Sequence, residues 1–399
     1  MDSTLTELIR ISKAVGKDSS LVLGGFGNTS AKTQDGKYMY IKASGTAIKD
    51  MTERKGWRRL RVDSILAMLR DKSLNCMDVD EREAKVTNGL FSACDDKFKA
   101  GGKPSIESGF HSMLDRYVIH LHPAAVLAYV CAKNGQAELQ KLFAKEKFSA
   151  GPFRRMPLNG RAPGRLPAPP LWVPYANPGY MLAKKIETLT RNYNSQYGCG
   201  PKVMFLQNHG LLVSSNNSST ALQLVRKVVN ICKSKVKRPK PVKIKSAGKT
   251  VISDATLAIR KAFLQATAKR VTVRHFIDEN IATFIVRRDA AKLCSLPAIT
   301  PDELVYTHGP PLWLEKWSRQ TLFNRLNRRI AEGQKPPAAF LIRPFGLFVT
   351  GRKSQITLIK DVVTTSLAVR SFAARLGGAR PLTKKQRQFI TMLETKASG

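Results

Sequence analysis

The strongest chemical signal in this sequence is a pair of histidines one residue apart, His120 and His122, inside an apolar run. Side chains alternate along a β-strand, so both imidazoles project from the same face if this run is a strand. Two neutral imidazoles on one face are half of a metal site, because a catalytic Zn²⁺ typically takes three protein ligands and keeps one position open. A third ligand is therefore expected far away in the sequence. His209 is the candidate, since it follows the apolar run 203–206 and precedes the apolar residues 211–213.

A carboxylate precedes this pair: Glu107, in the run Pro-Ser-Ile-Glu, is followed four residues later by His111. At that spacing the two side chains share a face of the helix predicted to open after Pro104. For His111 we expect a helix histidine bonded to the backbone or to Glu107, rather than a metal ligand. The stretch thus joins an acid to the predicted metal-binding pair.

Two turns nearer the N-terminus offer groups that bind anions. Residues 24–30 lead from one predicted strand to the next, and residues 43–46 follow the strand predicted at 38–42. Glycines let backbone N–H groups approach an anion closely, and Asn28 and Ser44 add polar side chains. The glycine cluster is not a dinucleotide fingerprint, because it leads into a strand and lacks the third glycine spacing. A purely structural turn is an equal alternative at either place.

Composition indicates a large soluble protein with a strong positive charge. No apolar run approaches the ~20 residues needed to cross a bilayer, and the N-terminus has no signal-like core, so we expect a cytoplasmic protein with no membrane partner. Six scattered cysteines form no C-x-x-C, which speaks against a cysteine-based zinc site. The 67 Lys and Arg against 29 Asp and Glu give a formal net charge of +38, a field that attracts anions. Nucleic acid is not the favoured partner, because the basic residues are not interleaved with aromatics.

The 399 residues are predicted to form two domains joined by a basic linker. Residues 1–232 form the first and 250–399 a second α/β domain, while 233–249 carry many Lys and Pro and no acid, as exposed linkers do. The stretch 336–349 resembles 201–213, with Phe345 at the place of His209, so we predict a degenerate repeat that cannot bind metal in the same way. Residues 51–99 are expected to be mostly helix and connection, and 150–170 a long irregular loop.

Five motifs, in this order, resemble the class II aldolase/adducin family: Gly-x-Gly-Asn-x-Ser, Ser-Gly-Thr, Pro-Ser-x-Glu, His-x-His-Pro and Asn-His-Gly. Together they cover about residues 5–232. The whole arrangement is similar to the aldolase portion of rhamnose-utilisation aldolase–dehydrogenase proteins, and the chain ends where their dehydrogenase domain would begin. The resemblance implies an α/β fold, a three-layer α/β/α sandwich on a mainly antiparallel sheet. The internal repeat adds the prediction of a second degenerate, copy-like α/β half. The resemblance also implies a homo-oligomer with sites between subunits.

Carried over residue by residue, the resemblance implies roles for nine residues. The metal ligands, for Zn²⁺ or another divalent metal, match His120, His122 and His209. The substrate phosphate positions match Asn28, Ser44, Gly45 and Ser105. Glu107 matches the carboxylate on the open side of the metal, and Tyr175 the tyrosine supplied to a neighbouring subunit's site. Ile106 replaces a position that is often serine in the phosphate-binding run, which weakens the case for a phosphorylated substrate.

The predicted activity is that of a metal-dependent aldehyde-lyase of the class II aldolase type, acting on a sugar phosphate or a sugar acid. Retro-aldol cleavage of a ketose leaves an enediolate, whose charge a chelated Zn²⁺ stabilises as a Lewis acid. Glu107 would move the proton at the nascent carbanion, and a tyrosine would serve the aldehyde-side oxygen. The alternatives are an epimerase or dehydratase with the same metal chemistry, and a non-catalytic adducin-like binding protein. The presence of all three histidines favours catalysis.

Overall fold

The computed structural model describes residues 2–22, 26–96, 102–146, 148, 168–236, 242 and 248–398. The chain forms two compact units, Met1–Val130 with Gln136–Lys235 and Cys131–Gly135 with Val236–Gly399. Most of the predicted linker and of the predicted 150–170 loop lies outside the described residues, and the predicted domain limits stay a prediction. None of the helices in the described ranges is long and apolar enough to cross a membrane.

The first unit has seven strands and eight helices among its described residues. The strands are β1 Asn28–Lys32, β2 Tyr38–Lys42, β3 Trp57–Arg61, β4 Tyr117–Leu121, β5 Leu171–Val173, β6 Val203–Leu206 and β7 Gly210–Ser215. The helices are α1 Ser3–Gly16, α2 Val62–Arg70, α3 Val79–Ser92, α4 Ser108–Met113, α5 Ala124–Val130, α6 Gly135–Phe143, α7 Tyr180–Tyr197 and α8 Ser218–Lys235.

These seven strands form one sheet in the order β3-β2-β1-β4-β7-β6-β5. Every neighbouring pair is antiparallel except β5 and β6, which are parallel. Strands β1, β4, β6 and β7 are buried along their whole length. Burial on both faces explains why β4 and β6 read as continuous apolar runs instead of an alternating pattern. The predicted mixed α/β fold with a mainly antiparallel sheet is confirmed.

Strand β1 is buried although it is mostly polar, because its side chains are hydrogen bonded on both faces of the sheet. On one face, Thr29 bonds to Ser12 of α1, with 2.7 Å between the hydroxyl oxygens. On the other, the Lys32 ammonium donates to the carbonyls of His111, Leu114 and Asp115 at 2.7–2.8 Å. These bonds offset the cost of removing the polar groups from water.

Strand β3 lies in the stretch expected to be mostly helix and connection. Its sequence, Trp-Arg-Arg-Leu-Arg, looks like a solvated basic segment, but Arg58 is fully buried. Both carboxylate oxygens of Asp96 lie 2.9 Å from the Arg58 Nε, and the guanidinium also donates to the Gly102 carbonyl at 2.9 Å. A paired, buried guanidinium can occupy a strand position that the sequence pattern assigns to solvent.

The second unit has four strands and seven helices among its described residues. The strands are β8 Thr272–Phe276, β9 Leu312–Leu314, β10 Ala339–Ile342 and β11 Gly346–Gly351. The helices are α9 Lys249–Thr267, α10 Glu279–Ile285, α11 Ala290–Ser295, α12 Pro301–Thr307, α13 Arg319–Ala331, α14 Ile356–Ala373 and α15 Lys384–Ser398. Its sheet has the order β8-β11-β10-β9, with β9 and β10 parallel and the other pairs antiparallel.

Candidate metal centre

Three imidazoles converge at the ends of central strands of the large sheet. His120 lies in β4, His122 follows the end of that strand, and His209 lies in the turn between β6 and β7. Because β4 pairs with β7, with His120 opposite Leu212, this turn lies beside the end of β4. The ring centroids are 4.8, 4.8 and 5.0 Å apart, and all three side chains are buried. One possible ligand atom from each residue lies within 4.8 Å of the others.

The turn that carries His209 depends on two unusual backbone positions. Asn208 has a φ of 56°, the left-handed region that asparagine tolerates better than most residues. Gly210 leaves no room for a side chain: a Cβ there would lie 2.5 Å from the Leu121 carbonyl oxygen and 2.7 Å from the His122 ring. The Asn-His-Gly sequence therefore serves the close approach of β7 to β4.

Hydrogen bonding and burial leave His120 in the form that binds a metal. Its Nδ1 lies 2.9 Å from the Leu211 carbonyl, which can only accept, so Nδ1 carries the proton and Nε2 presents a lone pair. That Nε2 lies 3.0 Å from the Nε2 of His122. Burial lowers the pKa of His120 well below its usual value despite the opposing charge of Glu107. The imidazole is thus neutral at pH 7, as metal ligation requires.

Glu107 closes the open side of the three imidazoles. Its Oε1 lies 3.3 Å from the Nε2 of His209 and 3.5 Å from the Nε2 of His120. The ligands of a tetrahedral Zn²⁺ with bonds of ~2.0–2.1 Å are about 3.3 Å apart, so these separations suit such an ion. Burial acts to raise the pKa of Glu107, but His120, His209 and His122 outweigh it and hold that pKa well below the usual value. The side chain is therefore a carboxylate.

Asn28 holds the other oxygen of this carboxylate in place, and the Ser105 hydroxyl accepts from both Asn28 and the Glu107 backbone N–H. Asn28 pairs with His120 across β1 and β4, which brings it to the site. Its Nδ2 donates to the Ser105 hydroxyl at 2.6 Å and to the Glu107 Oε2 at 3.1 Å. The Asn28 Oδ1 is buried and has no hydrogen-bond partner among the described residues. This oxygen can accept a bond from a hydroxyl of a bound molecule.

The structure places Ser44 and Gly45 on an exposed turn after β2. The backbone N–H of Ser44 donates to the Lys103 carbonyl at 2.9 Å, and Gly45 has a φ of +80°. Neither forms a hydrogen bond with Asn28, Ser105 or Glu107. Their assignment to a substrate anion remains a prediction.

Lys42 belongs to this region, although the motifs do not single it out. It ends β2, is buried, and its ammonium donates to the carbonyls of Ala43 and Thr46 at 3.0 and 2.8 Å. The side chain therefore closes the turn that carries Ser44 and Gly45. Burial lowers the pKa of Lys42 to about 8, against the opposing attraction of Glu107. The sequence signal was a lysine at the end of the strand Tyr-Met-Tyr-Ile-Lys, which is easily taken for a surface residue.

His111 does not join the metal-binding group, but its predicted partner is wrong. Its Nδ1 lies 2.7 Å from the Ser30 hydroxyl of β1 and bonds to that group instead of Glu107 or the backbone. The reason is that Glu107 precedes α4, at its N-cap, and turns toward the three imidazoles. Burial lowers the pKa of His111 to about 3, so this imidazole is neutral.

Tyr175 follows β5, and its hydroxyl is buried without a hydrogen-bond partner among the described residues. It is therefore not hydrogen bonded to the three histidines or to Glu107 of its own chain. Burial raises the pKa of Tyr175, so the phenol stays protonated. Its predicted role toward a neighbouring subunit remains a prediction.

The buried histidines, the carboxylate facing them and the mainly antiparallel sheet define an α/β protein with a group of side chains that could hold a metal ion. The chain belongs to the class II aldolase and adducin family, since the Class II Aldolase and Adducin N-terminal domain matches residues 6–236. The family predicted from the five motifs is thereby confirmed.

The chain is also similar to individual proteins. It is 23% identical over 338 residues to a Bacillus subtilis protein named uncharacterized oxidoreductase YuxG, a match that covers 79% of this chain and 42% of that protein. This chain therefore spans less than half the length of the curated relative. The N-terminal class II aldolase domain of a Thermoplasma acidophilum protein aligns with a TM-score of 0.44 and 22% identity, over 59% of this chain and 95% of that one. An L-fuculose 1-phosphate aldolase aligns with a TM-score of 0.37 and 16% identity, over 59% of this chain and 85% of that one.

Proposed function

We propose that this protein is a Zn²⁺-dependent carbon–carbon lyase of the class II aldolase type, acting on a sugar phosphate or sugar acid. The observation that carries the proposal is the convergence of His120, His122 and His209 with the Glu107 carboxylate in one buried site. Family membership supports the reaction class. Since the aldolases of this family use small-molecule substrates, we propose cytoplasmic carbohydrate metabolism as the setting.

The three histidines would hold the metal through imidazole nitrogens. When bound, the metal would supply Lewis-acid stabilisation of the negative charge that develops on the substrate as its carbon–carbon bond breaks. The Nδ1–H bond from His120 to the Leu211 carbonyl would keep that ring oriented, as partners of metal-bound histidines commonly do. Zn²⁺ suits an all-nitrogen set, and another divalent transition metal is the alternative.

We assign to Glu107 the proton transfer at the carbon that loses its bond. It is ionised and buried, and Asn28 holds one of its oxygens while the other faces the imidazoles. A general base needs this combination of fixed position and available lone pair. The free Oδ1 of Asn28 would accept a bond from a substrate hydroxyl, and Ser44, Gly45 and Ser105 would bind the substrate's anionic end.

We propose that the protein forms a homo-oligomer in which Tyr175 of one subunit enters the site of a neighbouring subunit. There it would act on the substrate oxygen that becomes the aldehyde. Its protonated hydroxyl has no bond to give up among the described residues, which suits a group that engages only in the assembly. We further propose that the first unit is the three-layer α/β/α sandwich typical of the family. The second unit is proposed to be a degenerate copy-like half.

The proposal is tested by metal analysis and by a screen of ketose phosphates and sugar acids for released dihydroxyacetone phosphate or free aldehyde. His122→Ala is expected to lose both the metal and the activity. Glu107→Gln is expected to keep the metal and lose roughly 10²–10⁴-fold in kcat. Glu53→Gln, at an exposed glutamate of the same unit, is the matched control and should behave like the natural protein.

Each alternative gives a different result in the same experiments. Full zinc occupancy and activity in His122→Ala would sink the ligand assignment. Inversion of a hydroxyl without carbon–carbon cleavage would identify an epimerase, and release of water would identify a dehydratase. Absence of turnover, together with steeply salt-dependent binding to nucleic acid, would favour a binding protein.

A further inference from the structure

We infer that the small sheet of the second unit retains the remnant of a second metal centre, at His275, Ile277 and Phe345. This inference goes beyond the proposed function and rests on it only in taking His120, His122 and His209 as metal ligands. It commits to a metal stoichiometry of one ion per chain, all of it in the first unit. It also predicts that Ile277→His and Phe345→His together would restore a site with three histidine nitrogens.

The first support is the order and sense of the strands. The four strands β4-β7-β6-β5 of the first unit are neighbours in that order, and β8-β11-β10-β9 of the second unit repeat it. In each set the last two strands are parallel and the other pairs antiparallel. The chain visits the strands in the same sequence order, with the turn between β10 and β11 at the place of the turn that carries His209.

The second support is register. In the first unit Val203 lies opposite Val213 and Leu206 opposite Gly210, and in the second Ala339 lies opposite Val349 and Ile342 opposite Gly346. The parallel pairs agree as well, since the Leu-Trp-Val strand β5 meets β6 just as the Leu-Trp-Leu strand β9 meets β10. A one-residue slip would turn every side chain of a strand to the other face, so matched register also matches the directions of the side chains.

The third support is the hydrogen bonds that close the turns. Gln207 donates its N–H to the Val173 carbonyl at 2.9 Å, and Arg343 donates to the Leu314 carbonyl at the same distance. The N–H groups of His209 and Phe345 each donate to the carbonyl three residues earlier, at 3.1 and 2.6 Å. Phe345 is thereby fixed as the counterpart of His209.

Strand β8 then identifies the remaining counterparts. His120 lies opposite Leu212 of β7, and His275 lies opposite Phe348, the residue of β11 that corresponds to Leu212. His275 is therefore the counterpart of His120, and two residues further Ile277 is the counterpart of His122. The helices that follow agree: α5 and α10 both have 7 residues, and α8 and α14 both have 18.

The close approach of glycine to histidine is also present in both units. A Cβ on Gly346 would lie 2.9 Å from the His275 Nε2 and 2.7 Å from the Phe276 carbonyl oxygen. At Gly210 the corresponding distances are 3.4 Å to the His120 ring and 2.5 Å to the Leu121 carbonyl oxygen. The His275 Nε2–H donates to the Phe345 carbonyl at 2.7 Å, so the ring reaches the turn where the missing ligand would be, and this nitrogen must give up that bond to bind a metal. Strand order and register are thus kept after two of the three ligands are lost, while the turn itself differs, since φ is +124° at Gly346 and lies outside the left-handed region at Gly210.

Among the described residues, the helix before β8 supplies no carboxylate at the place of Glu107. The helix that precedes β8, α9, carries a single carboxylate, Asp254, which is exposed and lies in its first half. A restored site should therefore bind a metal without adding activity. The inference can therefore be tested separately from the proposed function, because restoring the site should raise the metal content and leave the activity unchanged.

The test is a Co²⁺ titration of the full chain, followed by the absorption of the bound ion and by direct metal analysis. The natural protein is expected to bind one equivalent, and the variant with Ile277→His and Phe345→His to bind two. Adding His275→Gln should return the count to one. Adding His122→Ala instead should leave one equivalent, now in the second unit, with activity lost. If the natural protein binds no metal, the proposed function fails and this inference fails with it. If the natural protein binds one equivalent and the folded double variant binds no second one, only this inference fails.

Circular dichroism and the unfolding midpoint show whether each variant folds. Ile277 is 38% exposed, so Ile277→His alone keeps the inference testable should the double variant misfold. It is expected to give a second, weaker equivalent that His275→Gln removes. A folded double variant with no second equivalent, or a second equivalent that survives His275→Gln, would overturn the inference.

Discussion

Replacing Gly210 with alanine is expected to disturb the metal centre without removing a ligand. The new Cβ would lie 2.5 Å from the Leu121 carbonyl oxygen, 2.7 Å from the His122 ring and 3.4 Å from the His120 ring. Comfortable contact between carbon atoms needs about 3.5 Å, so β4 and the His122 ring must retreat by roughly 0.8–1 Å. Overpacking of this kind costs about 1–3 kcal/mol of unfolding free energy. Since the displaced groups are the proposed ligands or hold them, we expect metal affinity to fall about 10–100-fold, as when a supporting group is lost.

The assay is competition for Zn²⁺ against a chromophoric chelator, with the denaturant unfolding midpoint measured in parallel. Gly200→Ala is the matched control, because a Cβ at Gly200 meets no atom within 4 Å and its φ lies outside the left-handed region. The control should bind Zn²⁺ and unfold like the natural protein. Natural affinity in Gly210→Ala would refute the view that this glycine sets the approach of β7 to the ligands.

Two further predictions concern buried groups around the site. Lys42→Met removes the hydrogen bonds that close the turn of residues 43–46, so it should raise the KM for an anionic substrate about tenfold or more without changing the metal content. Lys37→Met, at an exposed lysine, is the control and should leave KM unchanged. An unchanged KM in Lys42→Met would show that Lys42 does not contribute to substrate binding. In the folded protein, burial lowers the pKa of His111 to about 3; Glu107 opposes this shift and Lys32 adds to it. In the unfolded chain the same imidazole takes up its proton near pH 6.5. The unfolded state therefore binds more protons in this window, and unfolding free energy should fall as pH drops from about 6.5 toward 3, by about 1.4 kcal/mol per pH unit from this residue. Urea unfolding across pH should show a shallower slope for His111→Gln, and an unchanged slope would contradict this account.

The metal group was predictable because its signals are local. Alternation along a strand places His120 and His122 on one face, and the apolar runs around His209 mark a strand end. The pairing of β4 with β7 brings these groups together, and no pattern within either strand specifies it. Long-range pairing depends on how the whole sheet packs, so the apolar runs made His209 a candidate for the third ligand and the family resemblance supported that choice.

Two features that the sequence did not predict have one physical cause, the burial of charged groups that usually face water. Arg58 is buried against Asp96, so the basic sequence of β3 does not look like a strand. Lys42 is buried against backbone carbonyls, so it was not recognised as part of the site. The partner of His111 is a serine in a neighbouring strand, a contact that helix spacing cannot indicate.

The polar side chains of β1 determine the register in which this strand pairs with its neighbours. Asn28, Ser30 and Lys32 bond on the face of α4, while Thr29 bonds to Ser12 on the opposite face. Shifting β1 by one residue would exchange these faces and bury several donors and acceptors without partners, each at a cost of about 1–3 kcal/mol. An apolar strand could slide with a smaller penalty. Hydrogen bonding in β1 thus fixes the register of the strand, and with it the position of Asn28 opposite His120.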